Sequence, residues 1–149
     1  MPQPEDPTIE RTTDLDIDVD ALWELISTAQ GWNAWLVDNA DVAIERGGSG
    51  TATNDGVQRD VRIETITDRC SVDFAWWDHD DPTSASYVQL GIVELPGGRS
   101  RLHVTERFAG ASRRARAAID TAIDTSIGVT WDVRFVSLWM LALHCTVMA

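Results

Sequence analysis

The strongest chemical signal in the chain is a carboxylate set among apolar residues. In RLHVTERF, residues 101–108, Leu102, Val104, Glu106 and Phe108 share one side of an expected strand. Arg59 is placed similarly, in phase with Val57 and Val61. A carboxylate buried without a partner carries a large desolvation cost or takes up a proton. Two arrangements would relieve that cost: an internal Glu106–Arg59 pair, or a polar group of a ligand meeting Glu106. The internal pair is the simpler. A strand register shifted by one residue would instead turn Glu106 to water.

Other reactive residues form weaker patterns. His79 lies in DHDDP with Asp78, Asp80 and Asp81, a set that could hold a metal but reads more simply as a solvated turn. Asp16, Asp18, Asp20 and Glu24 cluster where a helix should begin, and the helix dipole favours acids there without any metal. Arg113, Arg114 and Arg116 form the one basic cluster, and no glycine-rich phosphate loop accompanies them. The histidines His79, His103 and His144 fit no nucleophile–base spacing, so an enzyme is left without a defined acid or base. Cys70 and Cys145 match no metal or redox motif, and both read as free buried thiols. No metal and no cofactor is implied.

Composition narrows the function further. The chain has 149 residues, a formal net charge of -12 and no lysine, all twelve basic residues being arginine. That charge disfavours a nucleic-acid backbone as partner, and the missing lysine excludes a lysine Schiff base. Seven tryptophans and a 44% hydrophobic content suit a packed core. The longest apolar run falls well short of the roughly 20 residues that a membrane span needs. The start of the chain lacks a signal-peptide pattern, and a cytoplasmic protein is expected.

The elements that must position these residues follow from periodicity. Residues 1–7 read as a loose tail and 8–149 as one domain. Alternation predicts a first strand over 8–17, then a helix capped by Asp18 or Asp20 and running to about Ala29. Gly31 breaks that helix, and 32–36 form a second short turn. Strands are expected over 40–46, 50–53, 57–67, 70–77, 85–95 and 101–108. Turns fall at Gly47-Gly48, Asn54-Asp55-Gly56, Asp68-Arg69 and Pro96-Gly97-Gly98. Residues 109–127 carry helical propensity, with Ile119, Ile123 and Ile127 four apart.

The last element is GVTWDVRFVSLWMLALHC, residues 128–145. Trp131, Phe135, Leu138, Trp139 and Ala142 recur at three- and four-residue steps on one side of a helix. Val133, Val136, Met140, Leu141 and Leu143 widen that side, which predicts a helix almost wholly surrounded. A curved antiparallel sheet gripping this helix is the α+β architecture expected.

The order of elements and several local motifs resemble one family. IERTTDLDIDVDALWELIST followed by GWNAWL is similar to the opening of the homologues of the activator of heat-shock-protein-90 ATPase, with Trp23 and the pair Trp35-Leu36 at the matching positions. GGSGT, FAWW, GGRSRLHVTERF and TWDVRF resemble that family's glycine hairpin, fifth strand, last strand and closing helix, and Glu106 stands at its threonine-glutamate position. The chain departs from the pattern between Phe108 and Trp131, where it is longer and richer in arginine and alanine. The resemblance implies the helix-grip fold of the START-like (SRPBCC) superfamily, with an apolar cavity between sheet and helix. The residues expected to line it are Trp35, Arg59, Val61, Phe74, Trp76, Val88, Leu90, Val104, Glu106, Trp131, Phe135 and Trp139. Its occupant would be a hydrophobic or amphipathic small molecule. An aromatase/cyclase-like enzyme and a co-chaperone-like protein-binding module are the alternatives, and pairing of two copies is compatible with each.

Overall fold

The computed structural model describes residues 8–108 and 128–148, with the side chains of 131–142 in the second segment. The tail at 1–7, the helical reading of 109–127 and the side chains of His144 and Cys145 lie outside the described residues.

Strand β1 (Thr8–Leu15) leads into helices α1 (Val19–Ser27) and α2 (Ala29–Trp35). Six strands follow: β2 (Asn39–Val42), β3 (Ser49–Asn54), β4 (Val57–Thr67), β5 (Ser71–Asp78), β6 (Asp81–Leu95) and β7 (Arg99–Phe108). Helix α3 (Gly128–Met148) comes last. The strands form one antiparallel sheet in the order β1-β7-β6-β5-β4-β3-β2. Hairpins account for every neighbour except β1, which returns to pair with β7. Alternate residues on one face build the core, among them Val61, Ile63, Val72, Phe74, Val88, Leu90, Leu102 and Val104.

The corner between α1 and α2 holds one end of that core. The Asp18 carboxylate accepts from the Ala21 N–H at 2.8 Å and starts α1. Thr28 ends α1 and caps α2, its hydroxyl accepting from the Gly31 N–H at 2.9 Å. The break thus falls at Thr28, and Gly31 lies inside the second helix. Its role is close approach: a Cβ there would stand 2.6 Å from the carbonyl oxygen of Leu25 and would also meet that of Glu24. The indole N–H groups of Trp32 and Trp35 donate to the Ile26 and Leu25 carbonyls, each at 2.8 Å, and satisfy the end of α1.

Four other expectations need correcting. β2 is shorter than expected, ending at Val42, because the chain then folds tightly on itself and Gly48 packs against the Ala43 carbonyl. β6 starts at Asp81, since β5 and β6 join through a two-residue turn at His79 and Asp80. The residues Asp81 to Ser84 extend past the core, so no apolar alternation marks them. Cys70 is exposed at the β4–β5 turn, where a buried thiol was expected. Helix α3 is not enclosed: Trp131, Phe135, Leu138 and Ala142 are buried, but Val133, Val136 and Met140 face solvent, Met140 being 64% exposed. A sheet face covers only one side of a helix, and apolar residues all round α3 exceed that coverage.

Candidate buried polar cluster and cleft

Glu106 is the centre of a small polar cluster sealed inside the core. Alternation along β7 turns it inward with Leu102 and Val104, and it is 4% exposed. Its cross-strand neighbours are Ile9 and Val88, both buried. One carboxylate oxygen accepts from the Trp131 indole N–H at 3.0 Å. The other accepts from the Trp76 indole N–H at 3.0 Å and the Ser86 hydroxyl at 2.7 Å. The Trp76 N–H also reaches the Ser86 oxygen at 2.9 Å. Ser86 lies directly across from Trp76 in the β5–β6 ladder. A single side chain on β7 therefore ties together β5, β6 and the first turn of α3. This replaces the expected partner, since three neutral donors hold the carboxylate and Arg59 does not.

Two guanidinium groups border the cluster. Arg134 lies 4.5 Å from the centre of the Trp131 ring and 5.5 Å from that of Trp76, a cation–π arrangement with both indoles. It is 7% exposed, and its Nε has no hydrogen-bond partner among the described residues. Burial pushes its pKa down to about 10; the Glu106 charge opposes that shift and Arg59 adds to it. The group remains a cation at neutral pH. Arg59 lies over Trp76 at 4.6 Å and faces its cross-strand partner Asp78 at 3.5 Å. It is half-exposed at the strand end, and Val57 beyond it is exposed, so the inward face of β4 ends near Val61.

A cleft of about 490 Å³ opens beside this cluster. One wall is α2 and the segment after it, including Ala34, Trp35, Leu36, Val37 and Asp38; Val133, Arg134 and Ser137 of α3 and the β3–β4 turn at Asn54 and Asp55 complete it. The Asp38 carboxylate accepts from the Asp55 backbone N–H at 2.9 Å. The lining mixes apolar and polar groups and faces water on one side.

The expected site residues divide between these features. Trp35 lines the cleft, and its ring lies 6.5 Å from that of Trp131. Trp76, Glu106, Trp131 and Arg59 come together in or beside the cluster. Phe74, in edge contact with Trp76 at 5.2 Å, packs with Val61, Val88, Leu90, Val104 and Phe135 in the core, and none of these six lines the cleft. Trp139 is 49% exposed on the β1 side of α3, where its indole N–H donates to the Thr13 hydroxyl at 2.6 Å. It does not face the interior. With 3.6 residues per turn, Trp139 falls one residue beyond the stripe that includes Leu138. Arg134 and Ser86 were missed, although Arg134 shares the buried side with Trp131 and Leu138, and Ser86 shares parity with Val88.

The remaining polar groups have surface roles. His79 Nδ1 stands 3.1 Å from Asp60, whose hydrogen bond and then charge hold the imidazole pKa above its usual value. Asp16 and Asp20 meet Arg99 at 2.7 Å and Arg69 at 3.0 Å, and Asp18 is the helix cap. Among the described residues no three histidine, cysteine or acidic side chains gather at a metal-like spacing. No helix of the described residues is long and apolar enough to cross a membrane.

A seven-stranded antiparallel sheet with a terminal helix across it, and two short helices after the first strand, is the helix-grip fold. Solved structures agree. A protein of Mesorhizobium loti superposes with a TM-score of 0.73 at 19% identity, over 91% of this chain and 96% of its own. CalU16 from Micromonospora echinospora gives 0.66 at 19% identity, over 90% and 73%. An HSP90 activator from Plasmodium falciparum gives 0.59 at 15% identity, over 79% and 87%. No family model matches the sequence, and no curated protein does.

Proposed function

We propose that this protein, as a single START-like domain, binds an amphipathic small molecule in the cleft between α2 and α3. The observation that carries this reading is the cleft itself: about 490 Å³, within the usual range for ligand sites, with Trp35, Leu36, Val37 and Val133 beside the buried cation of Arg134. The described side chains between sheet and helix are buried against one another, so in this reading the ligand enters at the end of the helix and does not lie along the sheet. Glu106 acts indirectly, holding Trp131 and Trp76 against Arg134.

Tryptophan emission titrated with medium-chain amphiphiles tests this, because Trp35 is in the lining and Trp131 lies behind it. Saturable shifts are expected in the wild type. Ala34→Trp, an exposed change in the cleft wall, should weaken binding by tenfold or more (roughly 1.4 kcal/mol) with an unchanged circular dichroism spectrum. Equal binding by the filled cleft, or no shift with any amphiphile, would end the reading.

A second reading rests on the apolar row Val133, Val136 and Met140, exposed at three- and four-residue steps on α3. It suits a co-chaperone-like docking surface, and an HSP90 activator shares the fold. Capture by a purified HSP90-type chaperone should then be lost on changing Val136 and Met140 together to aspartate. Capture that survives the double change, or a wild type that fails to bind, removes this reading, and sedimentation of the wild type as a dimer would assign the row to a second copy.

A further inference from the structure

Resting on the cleft reading above, we propose that the bound amphiphile is a monocarboxylic acid whose carboxylate docks on the guanidinium of Arg134.

Arg134 is a cation 93% removed from water. Among the described residues no carboxylate lies within ion-pairing distance of it, and its Nε has no acceptor. The buried carboxylate of Glu106 does not complete it: it accepts from Trp76, Ser86 and Trp131 and makes no ion pair with Arg134. Two indole rings stabilise the charge without satisfying its N–H groups. A buried charge left in this state is costly unless a hydrogen-bonding anion arrives. Arg134 also forms part of the cleft wall, so a ligand can reach it. The planar fork of a guanidinium matches a carboxylate with two parallel hydrogen bonds.

The rest of the lining sets the size of the charge and the nature of the tail. Asp38 and Asp55 belong to the same cleft, and their carboxylates oppose further negative charge. A dianionic phosphate monoester meets this repulsion twice over, whereas one carboxylate is offset by Arg134. Trp35, Leu36, Val37 and Val133 offer apolar surface to the hydrocarbon part.

The experiment titrates the full-length protein with decanoate, 1-decanol and decyl phosphate at pH 7.5, below their micelle concentrations, by calorimetry and tryptophan emission. Decanoate should bind at least tenfold more tightly than decanol, and decyl phosphate more weakly than decanoate. Arg134→Met should abolish the preference for decanoate over decanol. Arg134→Lys, which keeps the charge but loses the fork, should retain part of the preference and serves as the comparison if the methionine variant does not fold. Equal binding of decanoate and decanol, or a preference that survives in both variants, overturns the carboxylate assignment and leaves the cleft reading standing. Decyl phosphate binding as tightly as decanoate overturns the restriction to monoanions. Failure of all three probes to bind brings down the cleft reading, and this proposal with it.

Discussion

Glu106→Leu is expected to lower the stability of the folded chain by roughly 3–5 kcal/mol, among the largest effects of any single change. The leucine fills a similar space, so loss of volume is not the cause. It removes the acceptor of the Trp131 indole N–H and of the Ser86 hydroxyl, and leaves the Trp76 N–H with the Ser86 oxygen alone, all inside the core. Each buried donor left without an acceptor costs about 1–3 kcal/mol. Arg134 loses the one buried negative charge whose field reaches it, which adds to the cost. Glu106→Gln is milder and equally informative. Its amide keeps one acceptor oxygen but directs an NH2 group toward an indole that also donates, so a loss of about 1–2 kcal/mol follows. Urea denaturation of the three proteins gives the order wild type, glutamine, leucine. If the leucine variant unfolded within 0.5 kcal/mol of wild type (roughly the scatter of neutral surface changes), the indoles would have other partners and the cluster would not hold α3 to the sheet.

Gly31→Ala should destabilise by about 3 kcal/mol, although alanine is the better helix former by about 1 kcal/mol in an ordinary helix. The sign reversal is the test. The new methyl group would stand 2.6 Å from the Leu25 carbonyl oxygen and 2.7 Å from the Leu25 Cα, both main-chain atoms of α1. A side chain could rotate away; a helix backbone cannot. The corner would open, pulling the Trp32 and Trp35 indoles from the carbonyls they satisfy and moving the wall of the cleft that contains Trp35. Ligand affinity should therefore fall together with the thermal midpoint. An alanine variant as stable as wild type would mean that α1 and α2 are less tightly apposed than these distances require.

Much of the architecture was readable from local order. Strand alternation in VQRDVRI, FAWW and RLHVTERF placed Val61, Phe74, Trp76, Val104 and Glu106 on the inner face, and the sheet confirms each. The turns at Asn54-Asp55-Gly56 and Pro96-Gly97-Gly98 lie where positive φ values are found, at Asp55, Gly56, Gly97 and Gly98. Alternation and turn chemistry act within a few residues, and so they show in the sequence. Where a segment ran beyond the core, as β6 does at Asp81–Ser84, the alternation vanished and the strand start was misplaced.

The sequence alone determined the helix-grip order of elements, the inward position of Glu106 and the buried stripe of Trp131, Phe135 and Leu138, because each follows from the period of a strand or helix. Only the tertiary structure decided what those side chains meet. Period places a residue on a face but says nothing of the distance across the core, so the partners of Glu106 proved to be Trp76, Ser86 and Trp131, and Arg59 turned to Asp78 instead. The sheet covers one side of α3, which leaves Trp139 and Met140 at the surface, although the pattern alone predicted a helix almost wholly surrounded. The meeting of α2, α3 and the β3–β4 turn, separated by most of the chain, created the cleft and put the unpaired fork of Arg134 in its wall.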